Sequence, residues 1–268
     1  MDRVTGAQAR WAIRKRQHVG PTATLAPGFV QANLVVVPQA DAEDMRVLCA
    51  RNPVPCPLLE ETAPGSHRSR LAAKSDLRVD LSAYRLWRDG ELVERAADAK
   101  AWWRTDLVAF LIGCSFTFEW ALTEAGLPPR HATCGVTVPM YKTSVPLARA
   151  GELHGHMIVS MRPYRLADLE RVRAITRPFV EAHGEPVAWG HHNGLGIRDL
   201  SRPDEGDPVP FEPEEIPVFW GCGVTPQQVA VESRLPYMIT HEPGHMFVTD
   251  LRHGDLRRRG GARSIAGG

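Results

Sequence analysis

The sequence predicts an α/β protein in which sheets of mixed strand direction are flanked by helices. Short apolar segments rich in β-branched residues alternate with segments whose apolar residues recur at helical spacing. The chain has 268 residues, of which 43% are hydrophobic and 24% charged, so a packed core is expected. This length is enough for one large domain or two modest ones.

The charge balance and the cysteines limit the classes of protein that we consider. Lys+Arg number 32 and Asp+Glu 31, which gives no overall attraction to nucleic acid or to an anionic membrane surface. No apolar run reaches the roughly 18 to 20 residues of a membrane helix, and no secretory signal precedes the first apolar segment. The five cysteines are odd in number and include no C-x-x-C pair. We therefore expect a cytoplasmic protein with reduced thiols and without nucleic-acid or membrane partners.

The first half of the chain alternates apolar and proline-rich segments. Its predicted elements are a buried strand at Asn33–Val37, a helix at Ala40–Asn52, an irregular segment at Pro53–Pro57 and a segment of helical period at Thr105–Pro129. Gly113 interrupts the last of these segments. Gly126, which two prolines follow, is the expected residue just after its helical end.

The second half adds short strands and one more helix. The predicted elements are strands at Gly155–Met161, Pro186–Trp189 and Pro217–Trp220, and an amphipathic helix at Arg165–Gly184. The segment 190–215 is a loop rich in Gly, Pro and Asp, and ordered loops of this length tend to be functional. Residues 256–268 have little to bury and are predicted to form a disordered tail.

A glycine turn between a strand and a helix is the clearest local signal for a binding site. Gly221-Cys222-Gly223 follows a predicted strand, and Thr225, Pro226 and Gln228 have the pattern of a capping box with a proline start. Free N–H groups at such a helix start favour a carboxylate or a phosphate. The alternative is a tight connection with an ordinary cap.

Cys114 and Ser115 follow Gly113 near an expected helix start. A helix N-terminus lowers the pKa of a thiol and raises its reactivity, which makes Cys114 a candidate nucleophile. The alternative is a buried cysteine that packs among phenylalanines as a small hydrophobic residue.

Other candidate residues lie where prolines predict loops or strand ends. Tyr141, Lys142 and Thr143 stand on an expected loop, where Lys142 could pair with a substrate carboxylate or simply be exposed. Arg162, at an expected strand end, could clamp a carboxylate bidentately or form a structural salt bridge. Asp204 belongs to an acidic group in the long loop that could act in acid–base chemistry, hold a divalent ion or form turns.

Residues 241–245 read His-Glu-Pro-Gly-His and match the H-E-x-x-H pattern of zinc hydrolases. That chemistry needs both histidines on one face of a continuous helix, and a proline inside a helix costs ~3 kcal/mol. The segment instead predicts a type II turn centred on Pro243 and Gly244, between two strands. His241 and His245 would then flank a rigid corner.

Several long and unusual segments lie between about Gly20 and Leu251. They are GPTATLAPGFVQANLVVVP, NPVPCPLL, DLRVDLSAYRLWRDGELV, FLIGCSFTFEWAL, VPMYKTSVP, MIVSMRP, LGIRDLSRPDEGD, PVFWGCGVTPQ and ITHEPGHMFVTDL. Together they resemble the D-glutamate cyclase family, whose bacterial members are also named as hydro-lyases. The resemblance implies two interlocked α/β subdomains, which we place at residues 1–125 and 126–255.

The resemblance also implies a carbon–oxygen lyase that removes water from a small amino-dicarboxylate, as in the ring closure of D-glutamate to 5-oxo-D-proline. This reaction demands no metal and no organic cofactor. The expected catalytic residues are His241, His245, Cys114, Ser115 and Tyr141. The expected substrate-binding residues are Lys142, Thr143, Arg162, Asp204, Gly221, Cys222, Gly223 and Thr225.

Two stretches depart from the pattern of the family. Members tend to read THAPGHM and PVHIGDP where this chain has THEPGHM and PVAWGHH, so Glu242 is expected to be incidental. Ala188 and His191 stand where histidine and aspartate are usual. Two alternatives therefore stay open: a catalytically altered protein that binds or senses a small carboxylate, and a metal-assisted hydro-lyase or amidohydrolase on another substrate. Assembly into a homo-oligomer also stays open.

Overall fold

The structure is a computed structural model that describes residues 4–256. The predicted disordered tail lies, apart from Leu256, outside the described residues. Within the described part of the chain, no helix is long and apolar enough to cross a membrane.

The chain alternates strands with short helices. The strands are β1 (Phe29–Pro38), β2 (Leu58–Glu61), β3 (Tyr84–Arg88), β4 (Glu91–Ala96), β5 (Leu107–Gly113), β6 (Met140–Pro146), β7 (His156–Arg165), β8 (Ala188–Trp189), β9 (Glu215–Gly221), β10 (Met238–His241) and β11 (Phe247–Arg252). The α-helices are α1 (Gly6–Arg14), α2 (Gln39–Arg51), α3 (Phe116–Glu124), α4 (Arg130–Cys134), α5 (Leu169–Thr176) and α6 (Thr225–Glu232).

The strands form two sheets that are interleaved along the chain. The large sheet has the order β2-β5-β1-β10-β3-β4, with β11 also paired to β1, and the small sheet has the order β6-β7-β9-β8. The chain leaves the large sheet after β5, builds the small sheet and returns with β10 and β11. The α/β class is confirmed, although neighbouring strands are antiparallel rather than mixed. The boundary between residues 125 and 126 stays a prediction.

Strand β1 is the centre of the large sheet and confirms the predicted strand at Asn33–Val37. Its residues are buried from Phe29 to Val37. Alternate side chains of β1 enter apolar clusters on opposite faces, with Leu34 and Val36 on one side and Val35 and Val37 on the other. A continuous β-branched run is typical of a strand that is covered on both faces.

The helical prediction for Thr105–Pro129 is wrong in its first part. Residues 107–113 form β5, a strand that is buried on both faces and apolar at every position. Because such a run has no apolar periodicity, helix and strand cannot be told apart from the sequence. The helical part is α3, which starts after Gly113. Gly126 has φ of 76°, and its N–H donates to Thr123 O at 3.0 Å, which confirms the glycine after the helix.

Two further predicted elements differ from the structure. The helix expected at Arg165–Gly184 begins as a 3-10 turn and its α-helical part ends at Thr176, because Pro178 cannot continue it. The loop expected at Tyr141–Thr143 is instead part of strand β6, which pairs with β7.

Helix α3 lies between the two sheets. Phe118 and Leu122 of α3 belong to one buried cluster with Val30 of β1 and with Tyr164 and Trp220 of the small sheet. The rings of Phe118 and Trp220 are 5.6 Å apart between centroids. The contacts on both sides of α3 therefore position one sheet against the other.

At Gly113 two backbone segments lie so close together that no larger residue fits. A Cβ at this position would overlap the backbone carbonyl oxygen of Glu181. We expect Gly113→Ala to lower the free energy of unfolding by about 1–3 kcal/mol, because the two backbone segments must separate. Urea denaturation measures this change.

Gly20→Ala is the matched control, because a Cβ at Gly20 meets no heavy atom within 4 Å. We expect it to change the free energy of unfolding by no more than about 0.5 kcal/mol. Equal effects of the two substitutions would contradict the close approach at Gly113.

Candidate functional site

A cleft of about 200 Å³ is lined by residues of both sheets, of helix α6, of the long loop and of the turn at residues 242–245. Its polar lining residues are Lys142, Asp204, Glu205, Gln227 and Gln228, and its apolar ones are Trp87, Met140, Ile158, Val224, Val231 and Pro243. Of the predicted substrate-binding residues, Lys142 and Asp204 meet here. The beginning of α6 forms another wall. Thr225, a predicted substrate-binding residue, is adjacent to this wall but does not line the cleft.

Lys142 and Asp204 come together because the long loop docks on the edge strand of the small sheet. Asp204 Oδ2 accepts the backbone N–H of Lys142 at 2.8 Å, and Met140 pairs with Glu205 as an isolated bridge. The Lys142 side chain is exposed, and no hydrogen bond or ion pair engages its ammonium group within residues 4–256. This ammonium is therefore available to a ligand in the cleft.

Tyr141 and Thr143 point away from the cleft. Successive side chains of a strand alternate in direction, so these two residues are buried while Lys142 is exposed. The Tyr141 hydroxyl donates to Leu200 O at 2.7 Å, and the Thr143 hydroxyl donates to Met157 O at 2.7 Å. Both residues hold the small sheet and its loop in place, and neither lines the cleft.

Arg85, which the sequence analysis missed, connects the two sides of the cleft. Its guanidinium donates to both carboxylate oxygens of Glu205, at 2.7 and 3.1 Å, and also to Glu242. Glu242 also accepts from Arg95 Nε at 3.2 Å. Burial raises the pKa of Glu242, but the hydrogen bond and charge of Arg85 outweigh burial and lower it. Glu242, expected to be incidental, is thus an ion-pair partner.

The predicted type II turn at residues 242–245 is confirmed. His245 N–H donates to Glu242 O at 2.9 Å, and Gly244 has φ of 86°. Pro243 lines the cleft, whereas His245 lies beyond it with Nδ1 at 2.8 Å from Ser82 Oγ. Burial lowers the pKa of His245, although the charge of Glu242 opposes this shift.

His241 is fully buried at the end of β10. Its Nδ1 lies 3.3 Å from Leu34 N and 3.2 Å from Leu34 O, so the ring extends the pairing of β10 with β1. Burial lowers the pKa of His241 to about 4, which keeps the ring neutral at pH 7. It is not among the residues that line the cleft.

The predicted nucleophile Cys114 is packed below the floor of the cleft. It belongs to a buried cluster with Cys222, and the cluster members Met140, Ile158 and Val224 also line the cleft. Burial raises the pKa of both thiols, that of Cys222 to about 11. The expected activation of Cys114 by the helix start is therefore wrong, and the alternative of a small hydrophobic residue is correct.

Arg162 is engaged in a buried ion pair. It lies inside β7, not at its end, and is fully buried. The guanidinium donates to Glu119 Oε1, with Nε at 2.9 Å, to Ser160 Oγ at 3.0 Å and to Ser115 Oγ at 2.8 Å. Arg162 was predicted to clamp a substrate carboxylate or to form a structural salt bridge, and the structure shows the salt bridge. Ser115 accepts one of its hydrogen bonds.

The predicted capping box at the start of α6 is wrong. Val224 is the N-cap residue and Thr225 is already helical, without a side-chain cap. The Thr225 hydroxyl donates to Cys222 O at 2.7 Å and accepts the N–H of Ile158 at 3.1 Å. This hydroxyl therefore ties the helix start to β7.

The glycines of this turn permit close packing of backbone segments. Gly221 ends β9, where a Cβ would lie 3.1 Å from Pro55 Cα. A Cβ at Gly223 would overlap the Asn33 side chain, whose amide donates to Gly113 O at 2.9 Å. Gly221 therefore packs on the segment between α2 and β2, and Gly223 packs on β1 and β5.

The acidic residues of the long loop are separately engaged. Asp207 Oδ2 accepts Thr137 N–H at 2.9 Å, whereas Asp204 and Glu205 bind Lys142 N–H and Arg85. Over residues 4–256, no three His, Cys, Asp or Glu side chains gather closely enough to hold a metal ion.

Two buried histidines make stability depend on pH. Burial lowers the pKa of His183 and of His241 to about 4, whereas an unfolded histidine titrates near ~6.5. Between these values the unfolded chain binds protons that the folded chain does not. We therefore expect the free energy of unfolding to fall as pH falls from about 6.5 toward 4, with a slope of up to about 1.4 kcal/mol per pH unit for each histidine.

Urea denaturation at pH values of about 7.5, 6.5 and 5 measures this dependence. His241→Asn should remove the contribution of one histidine and lower the slope below pH ~6.5, whatever its effect on stability at neutral pH. A free energy of unfolding that does not change over this range would contradict the neutral buried state of both rings.

One family model and several known proteins match this chain over more than half of its length. A family model described as D-glutamate cyclase matches residues 108–250, more than half of the chain. A "Putative hydro-lyase" from Methylobacterium sp. (strain 4-46) is 52% identical over 255 residues, which cover 95% of each chain. A protein of the same name from Streptomyces avermitilis is 51% identical over 263 residues and 96% of each chain. A third, from Rubrobacter xylanophilus, is 53% identical over 92% of this chain and 95% of its own.

A solved structure of a nitrogen repressor-like protein from Methanococcus jannaschii aligns with 94% of this chain and 100% of its own, at 10% identity. Its TM-score of 0.38 is too low to bear on fold or function. The matches to the family and to the three relatives confirm the predicted family and the hydro-lyase class. The chain belongs to the D-glutamate cyclase family.

Proposed function

We propose that the cleft between the two sheets binds a small amino-dicarboxylate such as D-glutamate, and that the chain dehydrates it to 5-oxo-D-proline. Membership of the family and the names of the relatives support this reaction class. The observation that carries the proposal is the exposed Lys142 ammonium and the Asp204 carboxylate in one cleft that both sheets line.

The cleft offers a complementary group for each charged part of such a substrate. The Lys142 ammonium suits a carboxylate, and the carboxylate of Asp204 suits an amine. Gln227 is only 5% exposed, and its Oε1 has no hydrogen-bond partner in the described part of the chain. Since buried acceptors are normally satisfied, an amine N–H of the substrate is the partner that we propose for it.

The proposed reaction closes a five-membered ring. The α-amine nitrogen forms a bond to the side-chain carboxyl carbon, one C–O bond of that carboxyl breaks, and water leaves. The ammonium nitrogen loses two protons in all, one before it attacks and one as the amide forms, and Asp204 is the proposed base because it lines the cleft. The leaving carboxylate oxygen must gain two protons to depart as water, and Asp204, once protonated by the substrate amine, is the proposed acid that returns them, because His245 lies beyond the cleft. The buried thiols take no part.

Two departures from the family pattern, Ala188 and His191, lie outside the cleft. Ala188 pairs with Phe219 in the small sheet, and His191 is exposed on the loop that follows β8. Neither residue lines the cleft. Their positions support retained chemistry over the alternative of a catalytically altered binding protein.

Incubation of the purified protein with D-glutamate, followed by mass spectrometry, tests the proposed function. We expect 5-oxoproline to form. Binding of D-glutamate without product would favour the binding-protein alternative, and the absence of both binding and product would contradict the proposed substrate.

Lys142→Met tests the proposed site. We expect KM for D-glutamate to rise about 10- to 100-fold, because a hydrogen bond to a charged group is worth ~1.5–3 kcal/mol. Lys100→Met, which removes another exposed ammonium, is the matched control and should leave KM unchanged. Turnover by Lys142→Met with an unchanged KM would place the substrate elsewhere.

A further inference from the structure

A second cleft, of about 370 Å³, lies between the segment 23–31 and helices α3 and α4. It shares no lining residue with the cleft described above. Its walls are largely apolar and include Ala23, Pro27, Phe29, Phe116, Trp120 and Pro129. Clefts with apolar walls and a few polar groups are typical of small-molecule sites.

Most polar groups of this cleft already have partners inside the protein. Gln31 Oε1 accepts the Thr22 hydroxyl at 2.7 Å, and Gln31 Nε2 donates to Thr22 O at 2.8 Å. Glu119 binds Arg162, and the Thr123 hydroxyl donates to Glu119 O at 2.9 Å. These groups shape the cleft and leave little hydrogen-bonding capacity for a ligand.

His253 is the exception among the buried polar lining residues. Its Nε2 lies 2.8 Å from Phe29 O, and because a carbonyl oxygen only accepts, Nε2 carries the ring proton. The other nitrogen, Nδ1, is then an acceptor. It has no partner within the described residues, and the side chain is 8% exposed.

The buried ring is held in its neutral form. Burial lowers the pKa of His253, although the bond to Phe29 O opposes the shift. A neutral imidazole that donates through Nε2 offers a lone pair at Nδ1. A buried acceptor of this kind is normally satisfied, and a donor on a bound molecule would satisfy it.

We propose that this cleft is a second binding site, for a compact and largely apolar molecule that carries one hydrogen-bond donor for His253 Nδ1. The aromatic rings of Phe29, Phe116 and Trp120 provide apolar surface for the body of the ligand. The site is independent of the proposed dehydration, because the two clefts have separate walls.

Indole and benzothiophene are matched probes for this proposal. The two molecules have nearly the same shape, but only indole carries an N–H donor. NMR titration of the 15N-labelled protein follows the indole N–H signal of Trp120, which Trp120→Phe assigns. We expect saturable shifts with both probes and about 5- to 10-fold tighter binding of indole, the size of one net hydrogen bond.

Two variants locate the probes. His253→Phe keeps a ring of similar shape and removes the acceptor, so it should make the two affinities equal. Ala132→Phe places a ring in the cleft and should abolish the Trp120 shifts of both probes. The comparison of the two probes on the unmodified chain does not depend on either variant. Equal affinities there, or shifts that do not saturate, would overturn the proposal.

Discussion

The buried charge of Arg162 is the constraint on which the arrangement of the two sheets depends. A guanidinium that is fully buried in β7 must be paired, and removing one partner of such a pair costs about 3–5 kcal/mol. Glu119 of α3 supplies the partner charge, and Ser115 and Ser160 each accept one further N–H. Because α3 also packs on β1, this ion pair holds the small sheet at a fixed place against the large one. The cleft of the proposed substrate is lined by both sheets, whose relative position this contact sets.

Arg162, Arg85 and Lys142 have different roles, which the fold reveals and the sequence does not. Arg162 stabilises the interior, Arg85 connects Glu205 to Glu242 across the cleft, and Lys142 faces the cleft. Strand β6 explains the position of Lys142, because alternation buries Tyr141 and Thr143 on the other side. The flanking prolines predict a loop at Tyr141–Thr143, so this alternation could not be expected from the sequence.

The elements that the sequence predicts correctly are those whose residues determine the local backbone conformation. The strand at Asn33–Val37 and the turn at residues 242–245 follow from β-branched residues and from a Pro-Gly pair. Strand β5 was missed because a run that is apolar at every position has no readable period. Arg85 was missed because its partners lie 120 and 157 residues away along the chain. The pKa values of Cys114 and His241 follow from burial, which a single sequence does not reveal.

The central claim is that the cleft between the sheets binds the substrate through Lys142. A crystal structure of the protein soaked with D-glutamate tests it most directly. We predict a substrate carboxylate within hydrogen-bond distance of Lys142 Nζ and the substrate amine facing Asp204. D-glutamate bound against Arg162, or in the cleft of Phe116 and His253 with the Lys142 cleft empty, would contradict it.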